Sequence, residues 1–169
     1  MLLDISRALK NPGQSYPFSG ALSLEAMDVL DDPVRFEGVA IDGSFTGAVE
    51  SVKVVGRVRA KVHTRCALCL DPVAFDLDAP LAEVFTRTVD PEDPDQRPLN
   101  GYAVDLTDPA KDALLLALPM RALCRPDCGG LCPVCGVNLN HQRCTCQEGG
   151  ERHNPFSALD ELLTEDEEV

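Results

Sequence analysis

Six cysteines stand within the segment L-C-R-P-D-C-G-G-L-C-P-V-C-G-V-N-L-N-H-Q-R-C-T-C, residues 123–146. They are Cys124, Cys128, Cys132, Cys135, Cys144 and Cys146, spaced C-x3-C-x3-C-x2-C-x8-C-x-C. Few large apolar residues accompany them, so the segment has little with which to build a core. Thiolates at this density, set among Pro and Gly, gather soft ligands around a metal, and the spacing points to a closed, structural Zn²⁺ site. Metal binding then supplies the folding energy that apolar burial does not. Cys132-Pro133-Val134-Cys135-Gly136 is the sharpest piece, a knuckle whose sulfurs converge and whose Gly136 suits a left-handed turn. Completing the tetrahedron takes one thiol from Cys124 or Cys128 and one from Cys144 or Cys146, leaving the other two beside the site or as alternative ligands; two metals sharing thiolates are the less favoured arrangement. His141 is a further candidate ligand, although a solvent-facing loop side chain is the plainer reading.

A second pair, Cys66 and Cys69 in C-A-L-C, lies far upstream. Three readings order themselves here: a plain turn with two buried thiols, then a metal half-site that pairs with the distal module, then a redox motif. The last ranks lowest because a thioredoxin-type C-x-x-C opens a helix in a βαβ setting. The surroundings of this pair are strands.

From Val34 onward the apolar period is two. Val34, Phe36 and Ala40 form one run and Phe45 to Val55 another, with Asp42-Gly43 between them as a hairpin signal. Arg57 to Arg65 alternates strictly, placing Arg57, Arg59, Lys61, His63 and Arg65 on one face and Val58, Ala60, Val62 and Thr64 on the other. Val73–Leu77 and Leu81–Thr88 read as further strands, and Tyr102–Leu106 as a short one. Asp108-Pro109 opens a helix with Asp108 as N-cap, and Leu114, Leu115 and Leu118 give it an apolar stripe. The fold class is therefore α+β: an antiparallel β domain with one packing helix, a zinc-binding loop module and a short C-terminal helix. The segments are residues 1–33 as an N-terminal arm containing a helical turn near Ser23–Leu30, and 34–122 as the β domain with helix 109–118. Residues 123–146 form the cysteine module. Residues 147–169 form a polar connector, a helix from Asn154 and an acidic tail.

With 169 residues, 44% of them hydrophobic, the chain can bury a core. No secretory signal is visible, and the longest apolar run, Ala113 to Met120, is too short to span a bilayer. A soluble, cytoplasmic protein with reduced thiols is expected. The net charge of −13 disfavours non-specific nucleic-acid binding. The charge is uneven, however. The basic strand admits two readings: an exposed face paired with acids such as Asp76 and Asp78, or a strip for RNA phosphates. No aromatic side chains stand in the strip to stack bases. No phosphate-binding glycine loop, nucleophile elbow, metalloprotease or deaminase motif occurs, which argues against an enzyme.

Taken in order, R-C-A-L-C-L-D-P (65–72), D-L-T-D-P-A…L-L-L-A-L-P (105–119), the cysteine module and N-P-F-S-A-L-D-E-L (154–162) resemble the YceD family, the large ribosomal RNA subunit accumulation proteins. The resemblance covers about residues 34–163. It implies a non-enzymatic ribosome-biogenesis factor supporting accumulation of 23S ribosomal RNA, with precursor rRNA or a large-subunit ribosomal protein as partner, and neither membrane nor small-molecule substrate. It also places the Cys66/Cys69 turn near the working surface. The rival readings are an acidic adaptor for a basic ribosomal protein, without RNA contact, and a thiol redox or metal-sensing protein.

Overall fold

The computed structural model describes residues 1–29, 32–90, 92–93 and 96–146; the expected connector, C-terminal helix and acidic tail lie outside them. Two compact units divide the chain, Met1–Cys128 and Gly129–Val169.

Three long antiparallel strands dominate the first unit: β4 (Asp32–Gly47), β5 (Ser51–Arg65) and β6 (Pro72–Thr86). The strands β2 (Ser15–Leu22) and β3 (Met27–Val29) both pair with β4, and β7 (Gln96–Pro98) runs parallel to β6. A separate ribbon joins β1 (Leu2–Asp4) to β8 (Ala103–Asp105). Helices α1 (Ser6–Lys10) and α2 (Thr107–Ala117) complete the unit. The residues read as an N-terminal arm thus supply β1 to β3, α1 and two core side chains, Ile5 and Ala8. The expected helical turn near Ser23 is absent: Met27 and Val29 instead pair with Val34 and Asp32 and pack on the core.

Period-two patterning accounts for β5. Val52, Val54, Val58 and Val62 are fully buried, while Arg57, Arg59 and Lys61 point outward. Each buried valine contributes roughly 1.5 kcal/mol or more over an exposed one. Against this face packs α2 through Ala110 and Leu114, both fully buried.

Local signals misled in three places. Asp42-Gly43 is no turn; it lies mid-strand, and the hairpin closes where the Ala48 N–H donates to the Ser51 carbonyl at 2.7 Å. Gly43 sits opposite Gly56, and a Cβ on either would come within 2.3 Å of a carbonyl oxygen on the facing strand. These glycines permit close backbone approach rather than reversal. At Gly38 (φ +64) β4 carries a bulge between Glu37 and Ala40, so the buried set passes from Val34 and Phe36 to Val39 and Ile41, not to Ala40. Lastly, β6 runs unbroken through Pro80, because β7 pairs only with Val84–Thr86 and the missing N–H faces an open edge.

Helix α2 starts one residue before the expected N-cap. Asp105 anchors it, its carboxylate accepting from the Thr107 N–H at 3.0 Å and the Thr107 hydroxyl at 2.7 Å.

Candidate metal centres

The chain's eight cysteines sort into two groups of four, each with all Sγ atoms within 4.8 Å of one another. The first group is Cys66, Cys69, Cys124 and Cys128; the second is Cys132, Cys135, Cys144 and Cys146. All eight are free thiols. This overturns the expectation of one tetrahedron drawing on both Cys124/Cys128 and Cys144/Cys146. Of the readings for Cys66/Cys69 it favours the second, a metal half-site paired with distal cysteines, over the plain turn ranked first. His141 belongs to neither group.

Donor chemistry and spacing fit a tetrahedral ion. Four sulfurs at about 2.3 Å from a metal stand about 3.8 Å apart. In the first centre Cys66 and Cys128 are 3.8 Å apart, and Cys69 and Cys124 3.6 Å. In the second, Cys144 lies 3.3 Å from Cys132 and 3.5 Å from Cys135. All four positions of each centre are filled by thiols, the pattern of a structural site.

The two C-x-x-C pairs are one device built twice. The Cys132 N–H donates to the Val137 carbonyl at 2.8 Å, and the Gly136 N–H to the Cys132 carbonyl at 2.9 Å. Upstream, the Cys66 N–H donates to the Asp71 carbonyl at 2.8 Å, and the Leu70 N–H to the Cys66 carbonyl at 3.0 Å. Each turn ends in a left-handed residue, Gly136 at φ +73 and Leu70 at φ +64. Leu70 alone among the described non-glycine residues has a positive φ.

Different elements hold the two devices. The second rests on a miniature hairpin, with Leu131 bridged to Asn138 and the Leu139 N–H donating to the Gly130 carbonyl at 2.9 Å. The first is the loop between β5 and β6. The Ala67 N–H ties it to the Ala122 carbonyl at 2.8 Å, bringing Cys124 and Cys128 to the end of the sheet.

Backbone N–H groups prepare one thiolate in each centre. Burial opposes ionisation of Cys66, but N–H groups of Leu68, Cys69 and Cys124 outweigh it and bring its pKa down to about 6. N–H groups of Cys135 and Val134 lower Cys132 to about 6. The later ionisations are resisted: burial chiefly pushes Cys69 up, and hydrogen bonds with Cys144 and Cys135 push Cys146 up to about 12. A dication removes that resistance, since it stabilises every thiolate at once.

On the outer face of β5, the basic side chains meet acids on both neighbouring strands. Arg57 pairs with Asp78 at 2.8 Å, Arg59 with Asp42, and His63 with Glu37 at 2.7 Å. Lys61 lies between Glu37 and Asp76 in register. Asp78 was legible as a partner; Asp42 and Glu37 were not, because the false turn at Asp42-Gly43 hid the β4 register.

Fold and sites define a metal-competent β protein: an antiparallel sheet closed at one end by a four-cysteine centre, and a second such centre in a small loop module. The chain belongs to the YceD family, described as the large ribosomal RNA subunit accumulation protein, whose family model matches residues 54–163. An uncharacterized protein of Mycobacterium tuberculosis is 35% identical over 170 residues, covering 90% of this chain and 74% of the relative. A chloroplastic protein of Arabidopsis thaliana named large ribosomal RNA subunit accumulation protein YCED homolog 1 is 30% identical over 81 residues, 47% of this chain and 25% of its own length. The protein of the same name from Zea mays is 37% identical over 51 residues, 30% of this chain and 17% of its own length. No solved structure matches. No described helix is long and apolar enough to cross a membrane.

Proposed function

We propose that this protein is a cytoplasmic, non-catalytic ribosome-biogenesis factor that supports accumulation of 23S ribosomal RNA and contacts RNA through basic side chains of its sheet that are not neutralised by facing acids. Family membership carries the reading, and relatives named for large ribosomal RNA subunit accumulation support it. Zn²⁺ is the ion of both centres, because four thiolates in a closed tetrahedron suit it and its role there is to hold structure. Depleting the protein and measuring the ratio of 23S to 16S RNA tests the role; an unchanged ratio refutes it. Metal analysis of purified protein tests the ion, and iron in place of zinc would refute that assignment.

A second reading draws on the ion pairs that neutralise Arg57 and Arg59 and on the net charge of −13. An acidic surface of this kind attracts a basic ribosomal protein. Pull-downs with and without nuclease separate the two, because contacts bridged by RNA vanish on digestion.

A further inference from the structure

The first knuckle contains a side chain its twin does without. At the left-handed position the second device has Gly136, whereas the first has Leu70, a γ-branched residue in a conformation that disfavours any Cβ. Core packing does not compensate, because Leu70 is 55% exposed. A strained residue with its side chain in solvent points to a contact made outside the fold.

Leu70 lines a surface groove of about 400 Å³ together with Arg35, His63, Thr64, Arg65 and Pro72. Two guanidiniums, Arg35 and Arg65, and the His63 imidazole border this groove, and no carboxylate is among its described lining residues. Glu37 holds His63 and lies 3.8 Å from Arg35, but Arg65 faces Pro72 across the ladder and makes no ion pair among the described residues. Further along β5 the balance reverses. The depression beside the Gly38 bulge, about 470 Å³, is bordered by Arg59 and Lys61 but also by Glu37, Asp76 and Asp78. A polyanion is repelled there and attracted at the knuckle end.

We infer that the groove at the first knuckle is the RNA contact, with single-stranded RNA phosphates on Arg35 and Arg65 and a base face against Leu70 and Pro72. This rests on the RNA reading above and narrows it from the sheet's basic side chains to one groove. Apolar and cationic surfaces side by side are what an unpaired nucleotide requires, one for the base and one for the phosphate. The knuckle that presents Leu70 belongs to a metal centre, so the groove depends on the ion for its shape.

Fluorescence anisotropy of a labelled oligouridylate at low salt, with the full metal-loaded chain, tests the inference. Replacing Arg35→Gln and Arg65→Gln together weakens binding about tenfold and flattens the logarithmic salt dependence by about 1.4. The pair Arg57→Gln and Arg59→Gln changes affinity by less than about twofold, since those cations are already neutralised. Leu70→Gly weakens binding about threefold while its thermal midpoint stays at or above that of the parent, which a purely structural residue would not do. The groove is overturned if the Arg57/Arg59 pair costs as much as the Arg35/Arg65 pair, or if Leu70→Gly leaves affinity untouched. Poly-glutamate competing as well as RNA also overturns it, in favour of an acidic peptide surface. A parent protein that ignores the oligonucleotide ends the RNA reading and the groove together.

Discussion

The two cysteine centres share donors, size and a knuckle with the same pair of hydrogen bonds, yet they are assembled in opposite ways. In the second centre, Cys144 approaches Cys132 and Cys135 from only 12 and 9 residues along the chain. In the first, the paired sulfurs are 62 and 55 residues apart. A module that brings its own ligands together locally has little else to fold around. A site whose ligands converge only through a formed sheet is instead a clasp on a structure that already has a core.

Chelation should separate the two most strongly. The second unit's described part offers one buried side chain, Cys132, against the 20-residue apolar cluster of the first. Removing the metals should collapse structure in residues 129–146, while amides of Val54, Val58 and Val62 stay protected from hydrogen exchange. Structural zinc contributes on the order of 10 kcal/mol to modules of the first kind. Simultaneous loss of protection everywhere would break the distinction.

Single substitutions test independence next. Cys128→Ser and Cys132→Ser should each lower metal content from two ions to one. Were the ligands shared in a single tetrahedron, either change would remove the only ion.

Acid should discharge both centres. Ligand thiols must be deprotonated, and in the metal-free state Cys69 and Cys146 are held above the ordinary thiol range. Metal binding near neutral pH therefore releases protons, and lowering the pH weakens binding through proton competition. The low-lying Cys66 and Cys132, at about 6, join that competition only below this value. Titrating metal release with a chromogenic chelator across pH measures it; pH-independent affinity would contradict the sign.

The smallest effects lie in the knuckle turns. Gly136→Ala should cost about 1 kcal/mol, because the left-handed backbone disfavours Cβ and nothing within 4 Å repays it. Leu70→Gly should gain no more than about 1 kcal/mol, the relief of strain being offset by the freer unfolded chain. Opposite signs in thermal denaturation would sharpen the equivalence of the turns; equal signs would dissolve it.

The uneven legibility of the molecule follows from the same contrast. Cys132, Cys135 and Gly136 announce themselves because the knuckle is contained in five consecutive residues. The alternation of β5 is equally local, and its buried valines lie where the period places them. What escaped reading was whatever depends on a neighbouring strand. Gly43 mimics a turn until Gly56 is seen across from it. The bulge at Gly38 shifts which acids confront Lys61 and His63. C-A-L-C reads second as a half-site for the distal module, but nothing in it indicates that Cys124 and Cys128 rather than Cys144 and Cys146 return to it, since that meeting follows from the β5–β6 loop and the path after α2.

The chain separation of the first centre's ligands also sets an order of events during synthesis. Closing a short loop is fast, and the cost of closure rises slowly with length, but pairing that spans a whole sheet waits for the sheet. The second centre needs only its own few residues to emerge. The first needs β5, β6 and α2 in place before Cys124 and Cys128 can reach Cys66 and Cys69. A metal ion retained there is a record that the sheet has finished folding.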